Sequence, residues 1–195
     1  MRVTGDTRAR IVTAATELFR RQGYAATGMK QIVTTAGAPY GSAYHFFPGG
    51  KAQLGEEVVR TSGAAHLELI GQLFPDPGAD PARATAAAFE GAAETLRELE
   101  FADPCPVATV ALEVASTHEG LRLATAEVFG TWTEALAAFY AGAGMAPETA
   151  RATASSVIAL LEGAFMLGRA AHDTTPVRAA ARAASAIVRD ALTAG

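Results

Sequence analysis

Residues 27 to 51 read TGMKQIVTTAGAPYGSAYHFFPGGK, and this stretch decides the fold. Thr27 carries a hydroxyl suited to accept from the free backbone amides of a first helical turn, and Met29, Ile32 and Val33 follow on one apolar face. Gly37 stops that helix, because glycine accepts the left-handed conformation just past a helix end. Pro39 has the fixed φ that suits the opening turn of a second helix, which runs to about Phe47. Ala43, Phe46 and Phe47 can pack inward from it, while Tyr40, Ser42, Tyr44 and His45 face outward. Helix, tight turn and helix, with polar groups on the free face of the second, is the construction of a helix-turn-helix that lays a reading helix in the major groove of DNA.

Working outward, an earlier helix from about Asp6 to Gln22 places Ile11, Ala15, Leu18 and Phe19 at helical spacing, and Gly23 closes it. Tyr24 and Met29 complete a small three-helix core that Phe46 and Phe47 fill. After Pro48-Gly49-Gly50 a periodic segment from Lys51 to about Phe74 spans on the order of 35 Å at helical rise, long enough to join this unit to the rest of the chain. Gly63 and Gly71 within it either loosen the helix or admit a close neighbour.

Pro75 to Pro81, PDPGADP, is the clearest linker, and Asp80 with Pro81 caps and opens the next helix, to about Phe101. The same punctuation recurs before helices ending near Ala115, Tyr140, Ala171 and Leu192. No strand pattern survives beside these. The expectation is an all-α chain of about nine helices: an N-terminal helix-turn-helix domain over residues 1–50 and a C-terminal helical domain over 51–195.

Half of the 195 residues are hydrophobic, enough to bury a sizeable core. The formal charge of −4 is unevenly spread. Residues 1 to 51 hold seven Lys and Arg against two acids, a balance of +5 that leaves −9 for the remainder. A cationic end on an acidic body is the footprint of a protein that meets a polyanion with one end only. The single Cys105 excludes an internal disulfide, and Met1 to Gln22 is charged and amphipathic rather than a secretion signal, so the cytoplasm is the expected compartment. The longest stretch without Asp, Glu, Lys or Arg, Gln31 to Gly50, carries two prolines and four glycines, so no membrane span is expected.

The stretches RARIVTAATELFRRQGYAATGMKQIV and GSAYHFFPGGKAQL resemble the DNA-binding domain of the tetracycline-repressor (TetR) family, over about the first quarter of the chain. The longer strings AGAPYGSAYHFFPGGK and CPVATVALEVA look like one sub-group of it, related to drug-resistance regulators. The resemblance implies a ligand-responsive repressor that binds a palindromic operator in double-stranded DNA as a homodimer. It implies phosphate contacts at positions matching Thr27, Tyr44 and Lys51, a fourth helix acting as lever between ligand and DNA, and a dimer formed by the last two helices, about residues 147–192. An inducer held among helices four to eight belongs to the same implication.

The residues themselves assign backbone contact to Thr27, Tyr44, His45 and Lys51, and base edges to Tyr40, Gly41 and Ser42, with Lys30 the nearest mobile cation. The reading helix contains no Arg or Lys, so the bidentate arginine–guanine contact is unavailable from it, and discrimination leans on Tyr40, Ser42 and DNA shape. In the body, His66, Phe89, Cys105, Glu113, Phe129, Trp132, Phe165 and Met166 are the candidates for contact with a small hydrophobic or aromatic molecule. The same side chains are equally compatible with a filled core. Cys105 reads either as a thiol sensor or as a small buried hydrophobe.

The histidines lack metal-ligand spacing, and no cofactor motif is present. An enzyme is disfavoured by the absence of a nucleophile elbow and of a phosphate-cradling loop. A helical interaction module of the same fold that does not bind an operator remains open, because the reading helix is neutral.

Overall fold

The computed structural model of the chain describes residues 4–75, 80–102 and 104–193. Arg2 of the basic end, residues 76–79 of the linker and Asp103 lie outside the described residues. Nine helices and no strand are found among the described residues: α1 Thr4–Gln22, α2 Met29–Thr35, α3 Tyr40–Phe46, α4 Gly50–Leu73, α5 Pro81–Glu98, α6 Pro106–Val114, α7 Glu119–Gly142, α8 Pro147–Ala171 and α9 Thr175–Thr193. They form two compact units, Met1–Ala64 with Cys105–Val128, and Ala65–Pro104 with Phe129–Gly195.

In the first unit Ile11, Ala15 and Phe19 of α1 are fully buried, together with Ile32 of α2, Ala43 of α3, Phe47 and Leu54. Phe46 is only half-buried, so Phe47 alone fills the core from the end of α3. The unit also takes in α6, which packs against α1. Gly63 of α4 admits a close neighbour, since a Cβ there would lie 2.7 Å from the Val128 methyls, whereas one at Gly71 would meet nothing within 4 Å.

In the second unit α9 packs on both α5 and α8. Val177, Ala180, Ala181, Ala184 and Val188 of α9 meet Phe89, Ala93 and Leu96 of α5 and Ala150, Ala154 and Phe165 of α8 in one apolar core. Asp80 accepts from the amides of Ala82 and Arg83 at 3.0 and 3.1 Å, the cap expected of it. Thr85 donates to the carbonyl of Pro81 at 2.7 Å, so the buried Tyr140 hydroxyl is the donor in its 2.8 Å bond to Thr85 Oγ1. Burial pushes the Tyr140 phenol up to about 12.

α5 ends three residues before Phe101. Glu100 and Phe101 both have positive φ, 52° and 60°, and the Phe101 amide closes on the Leu96 carbonyl at 3.0 Å, the 6→1 bond that terminates a helix. The apolar spacing of α4 also persists beyond its buried part: Leu54 and Val58 are buried, whereas Leu69 and Leu73 are exposed.

Candidate nucleic-acid interface

The turn between α2 and α3 is built by Gly37 at φ +58°, while the Ala38 amide closes on the carbonyl of Val33 at 2.9 Å. Arg10 of α1 staples it. One guanidinium nitrogen donates to the carbonyls of Ala36 and Gly37 at 2.6 and 3.2 Å, and the other to Thr7 Oγ1 at 3.2 Å. Arg8 lies with its guanidinium 5.3 Å from the centre of the Phe47 ring and pairs with Glu57 at 2.7 Å. Arg10 thereby ties the turn to α1, whereas Arg8 is exposed and its pair with Glu57 lies at the surface. Nothing in the spacing along the chain revealed the Ala36 and Gly37 carbonyls as partners of Arg10, because they lie more than twenty residues away.

α3 presents a neutral aromatic face. Tyr40 and Tyr44 are each about half exposed, at 52% and 51%, and stand one helical turn apart. Their rings meet edge to face at 5.6 Å and their hydroxyls approach to 3.4 Å. The hydrogen bond to Tyr40 raises the Tyr44 phenol above the usual tyrosine value. Gly41 is exposed between them, and His45 is exposed with its ring against Phe46. A shallow hollow of about 380 Å³, lined by Thr7, Pro39, Gly41, Ser42, His45 and Phe46, opens beside the helix. Lys30 is exposed on α2.

Thr27 departs from its expected capping role, and Lys51, in the first turn of α4 as expected, is engaged by backbone carbonyls. α2 begins at Met29 with Gly28 as its cap, and no side chain caps it. Thr27 is buried instead, its hydroxyl donating to the Gly23 carbonyl at 2.7 Å and accepting from Gln22 Nε2 at 3.1 Å. The hydroxyl therefore bonds back toward the α1–α2 turn rather than forward to α2. The Lys51 ammonium donates to the carbonyls of Tyr24, Ala25 and Thr27 at 3.0, 3.4 and 3.1 Å and sits 4.3 Å from the centre of the Tyr24 ring. Burial lowers its pKa and the Glu113 charge opposes that shift. In this conformation Lys51 organises the turn that enters α2.

The body candidates fall in separate places. His66, Phe129 and Trp132 come together, with ring centres 5.2 Å apart for His66–Trp132 and 5.3 Å for Phe129–Trp132. Phe89 and Phe165 lie in the apolar core of the second unit. Cys105 is buried, and its Sγ accepts from the Ala108 amide at 3.4 Å as the cap of α6. Glu113 accepts from the amides of Tyr24 and Ala25 at 2.9 and 2.6 Å, which commits it to the first unit. Met166 is exposed on α8 beside Leu167, 57% each. Among the described residues no group of three or more His, Cys, Asp or Glu is placed to hold a metal ion.

α8 is long and apolar enough to cross a membrane by length and composition, with a mean hydropathy of 1.3 over its most apolar window, of which 28% is buried. Its buried positions, including Ala150, Ala154, Val157 and Gly168, lie in the second unit against α9.

Comparison with known proteins places this geometry. Residues 11–58 match the model for bacterial regulatory proteins of the tetR family, and residues 81–183 the model for the C-terminal domain of LmrA/YxaF-like transcriptional regulators. The chain is 36% identical over 185 residues to the HTH-type transcriptional regulator YxaF of Bacillus subtilis (strain 168), covering 95% of this chain and 96% of that one. It is 35% identical over 180 residues to the HTH-type transcriptional regulator LmrA of the same organism, covering 89% and 92%. The crystal structure of the regulatory protein TetR from Rhodobacter sphaeroides shares the fold at a TM-score of 0.83 and 23% identity, over 92% of this chain and 97% of that one.

Proposed function

The chain belongs to the tetR family of bacterial transcriptional regulators and is not an enzyme, and from that premise we propose that it is a ligand-released repressor binding a palindromic operator as a homodimer. The observation that carries the DNA-reading part is the exposed Tyr40–Tyr44 face, mounted on a helix-turn-helix at the basic end of the chain. Two such faces in a symmetric dimer match half-sites about 34 Å apart. Tyr44 and His45 donate to phosphate oxygens, and Tyr40, Gly41 and Ser42 meet base edges. Because α3 carries no Lys or Arg, few counterions are released, and affinity declines only gently as salt rises.

The test is a gel shift with the DNA upstream of the protein's own coding region across a salt series. Lys30→Ala is expected to reduce the slope of log affinity against log salt by about 1, leaving sequence preference intact. Tyr44→Phe is expected to weaken binding by about 1 kcal/mol, roughly fivefold. Absence of any salt-dependent shift would favour an interaction module of the same fold that does not bind an operator.

For the inducer, the His66–Trp132–Phe129 cluster is the proposed contact: Trp132 is buried and His66 and Phe129 are half-buried, so a flat apolar molecule would insert among these rings. Trp132 is the only tryptophan in the chain, so its fluorescence reads this contact directly. Saturable quenching by an aromatic compound that also releases the operator is the expected result, and quenching without release would confine the compound to a non-regulatory site.

A further inference from the structure

The turn from Gly23 to Thr27 joins α1 to α2, and it is held by opposite charges on two other helices. Lys51 of α4 gathers the carbonyls of Tyr24, Ala25 and Thr27. Glu113 of α6, 89 residues from Tyr24 in sequence, gathers the amides of Tyr24 and Ala25 in charge-assisted bonds of 2.9 and 2.6 Å. Two successive amides converging on one anion is the backbone arrangement that elsewhere receives a phosphate. Here the anion is internal. Gly23 shows how closely the carboxylate is seated, since a Cβ there would lie 2.4 Å from Glu113 Oε1, and its φ of +87° independently favours glycine.

We propose that Glu113 is a positioning residue for operator reading: its carboxylate fixes the Tyr24–Ala25 turn to α6, and through that turn sets the attitude of α2 and α3. The chain of contacts is short. The turn leads through Gly28 into α2, and Arg10 joins the end of α2 to α1. Reading side chains need placement to within about 0.5 Å, and Glu113 tethers the amide side of a turn whose carbonyl side Lys51 holds. α6 thereby acquires a direct handle on the reading head that is separate from α4.

This proposal rests on the operator-binding reading, and its test separates the two. A duplex enriched from a random pool by the wild-type protein and a scrambled duplex of equal length are the probes, and amide exchange at Tyr24 and Ala25 is followed by NMR. For Glu113→Ala the expected results are at least tenfold weaker binding of the enriched duplex, binding of the scrambled duplex within twofold of wild type, and at least threefold faster exchange at both amides. Glu113→Gln keeps one acceptor oxygen and is expected to recover part of the affinity. Wild-type affinity for the enriched duplex, or equal loss on both duplexes, overturns the proposal. Should Glu113→Ala fail to fold, Glu113→Gln, which keeps the side-chain volume but leaves only one acceptor oxygen for the two amides, decides in its place: faster exchange with selective loss supports the proposal, and wild-type values overturn it. If the wild-type protein enriches no duplex, the operator reading fails, and unchanged exchange in Glu113→Ala still overturns the clamp.

Discussion

Leu167→Glu is expected to convert a dimer into a monomer in size-exclusion chromatography with light scattering, and to abolish operator binding with it. Leu167 and Met166 stand 57% exposed on α8, next to Gly163 and on a helix with no charged residue between Arg151 and Glu162. An apolar helix with most of its surface open is unstable in water unless another surface covers it. A second copy of α8 and α9 is the proposed cover, and its small side chains allow close approach of helix axes. In a two-fold interface each substitution appears twice, so two carboxylates are buried against apolar surface. At several kcal/mol per unpaired ion, dissociation is expected to strengthen by at least about 10³-fold. An unchanged molecular mass for Leu167→Glu would locate the interface elsewhere.

Phe19→Ala is expected to cost about 3–5 kcal/mol of stability, read as a shift in the urea midpoint of far-UV circular dichroism without a change in slope. Phe19 is fully buried, its ring meets Tyr24 edge to face at 5.2 Å, and Ile11, Ala15, Ile32 and Phe47 share the core of its unit. Its neighbours Ile11, Ala15, Ile32 and Phe47 are already fully buried and have little room to close the resulting cavity. Loss of the ring also frees Tyr24, which carries the cation of Lys51 on its other contact. A loss below about 1 kcal/mol would mean that the unit collapses to fill the space.

The helices were legible in the sequence because their signals are local. Gly37 ended α2 as glycine at a positive φ does, Asp80 capped α5, and Pro147 opened α8. The resemblance of residues 27 to 51 to a DNA-reading motif was legible for the same reason. The uses of charge were not. Arg10, Lys51 and Glu113 all bind backbone groups more than twenty residues away, and spacing along the chain carries no information about which carbonyl or amide arrives beside a charge. Thr27 shows the limit from the other side. Its hydroxyl had two backbone directions to choose from, and the Gly23 carbonyl won over the α2 amides. Of the eight body candidates, the three that converge are aromatic, and hydrophobic spacing along α7 brought Phe129 and Trp132 together without specifying His66.

The division of labour within α3 bears on how such a protein changes its target. Ala43 and the following Phe47 hold the helix in place, and the turn before it is secured by Arg10 from another helix. Positions 40, 41, 44 and 45 therefore carry almost no structural duty, and a Cβ added at Gly41 would meet nothing within 4 Å. Mutation can explore these positions at little cost in stability, so operator preference is free to drift between related regulators while the scaffold stays constant. The neutrality of the reading face is then one setting among many, reversible by a single basic substitution at position 41.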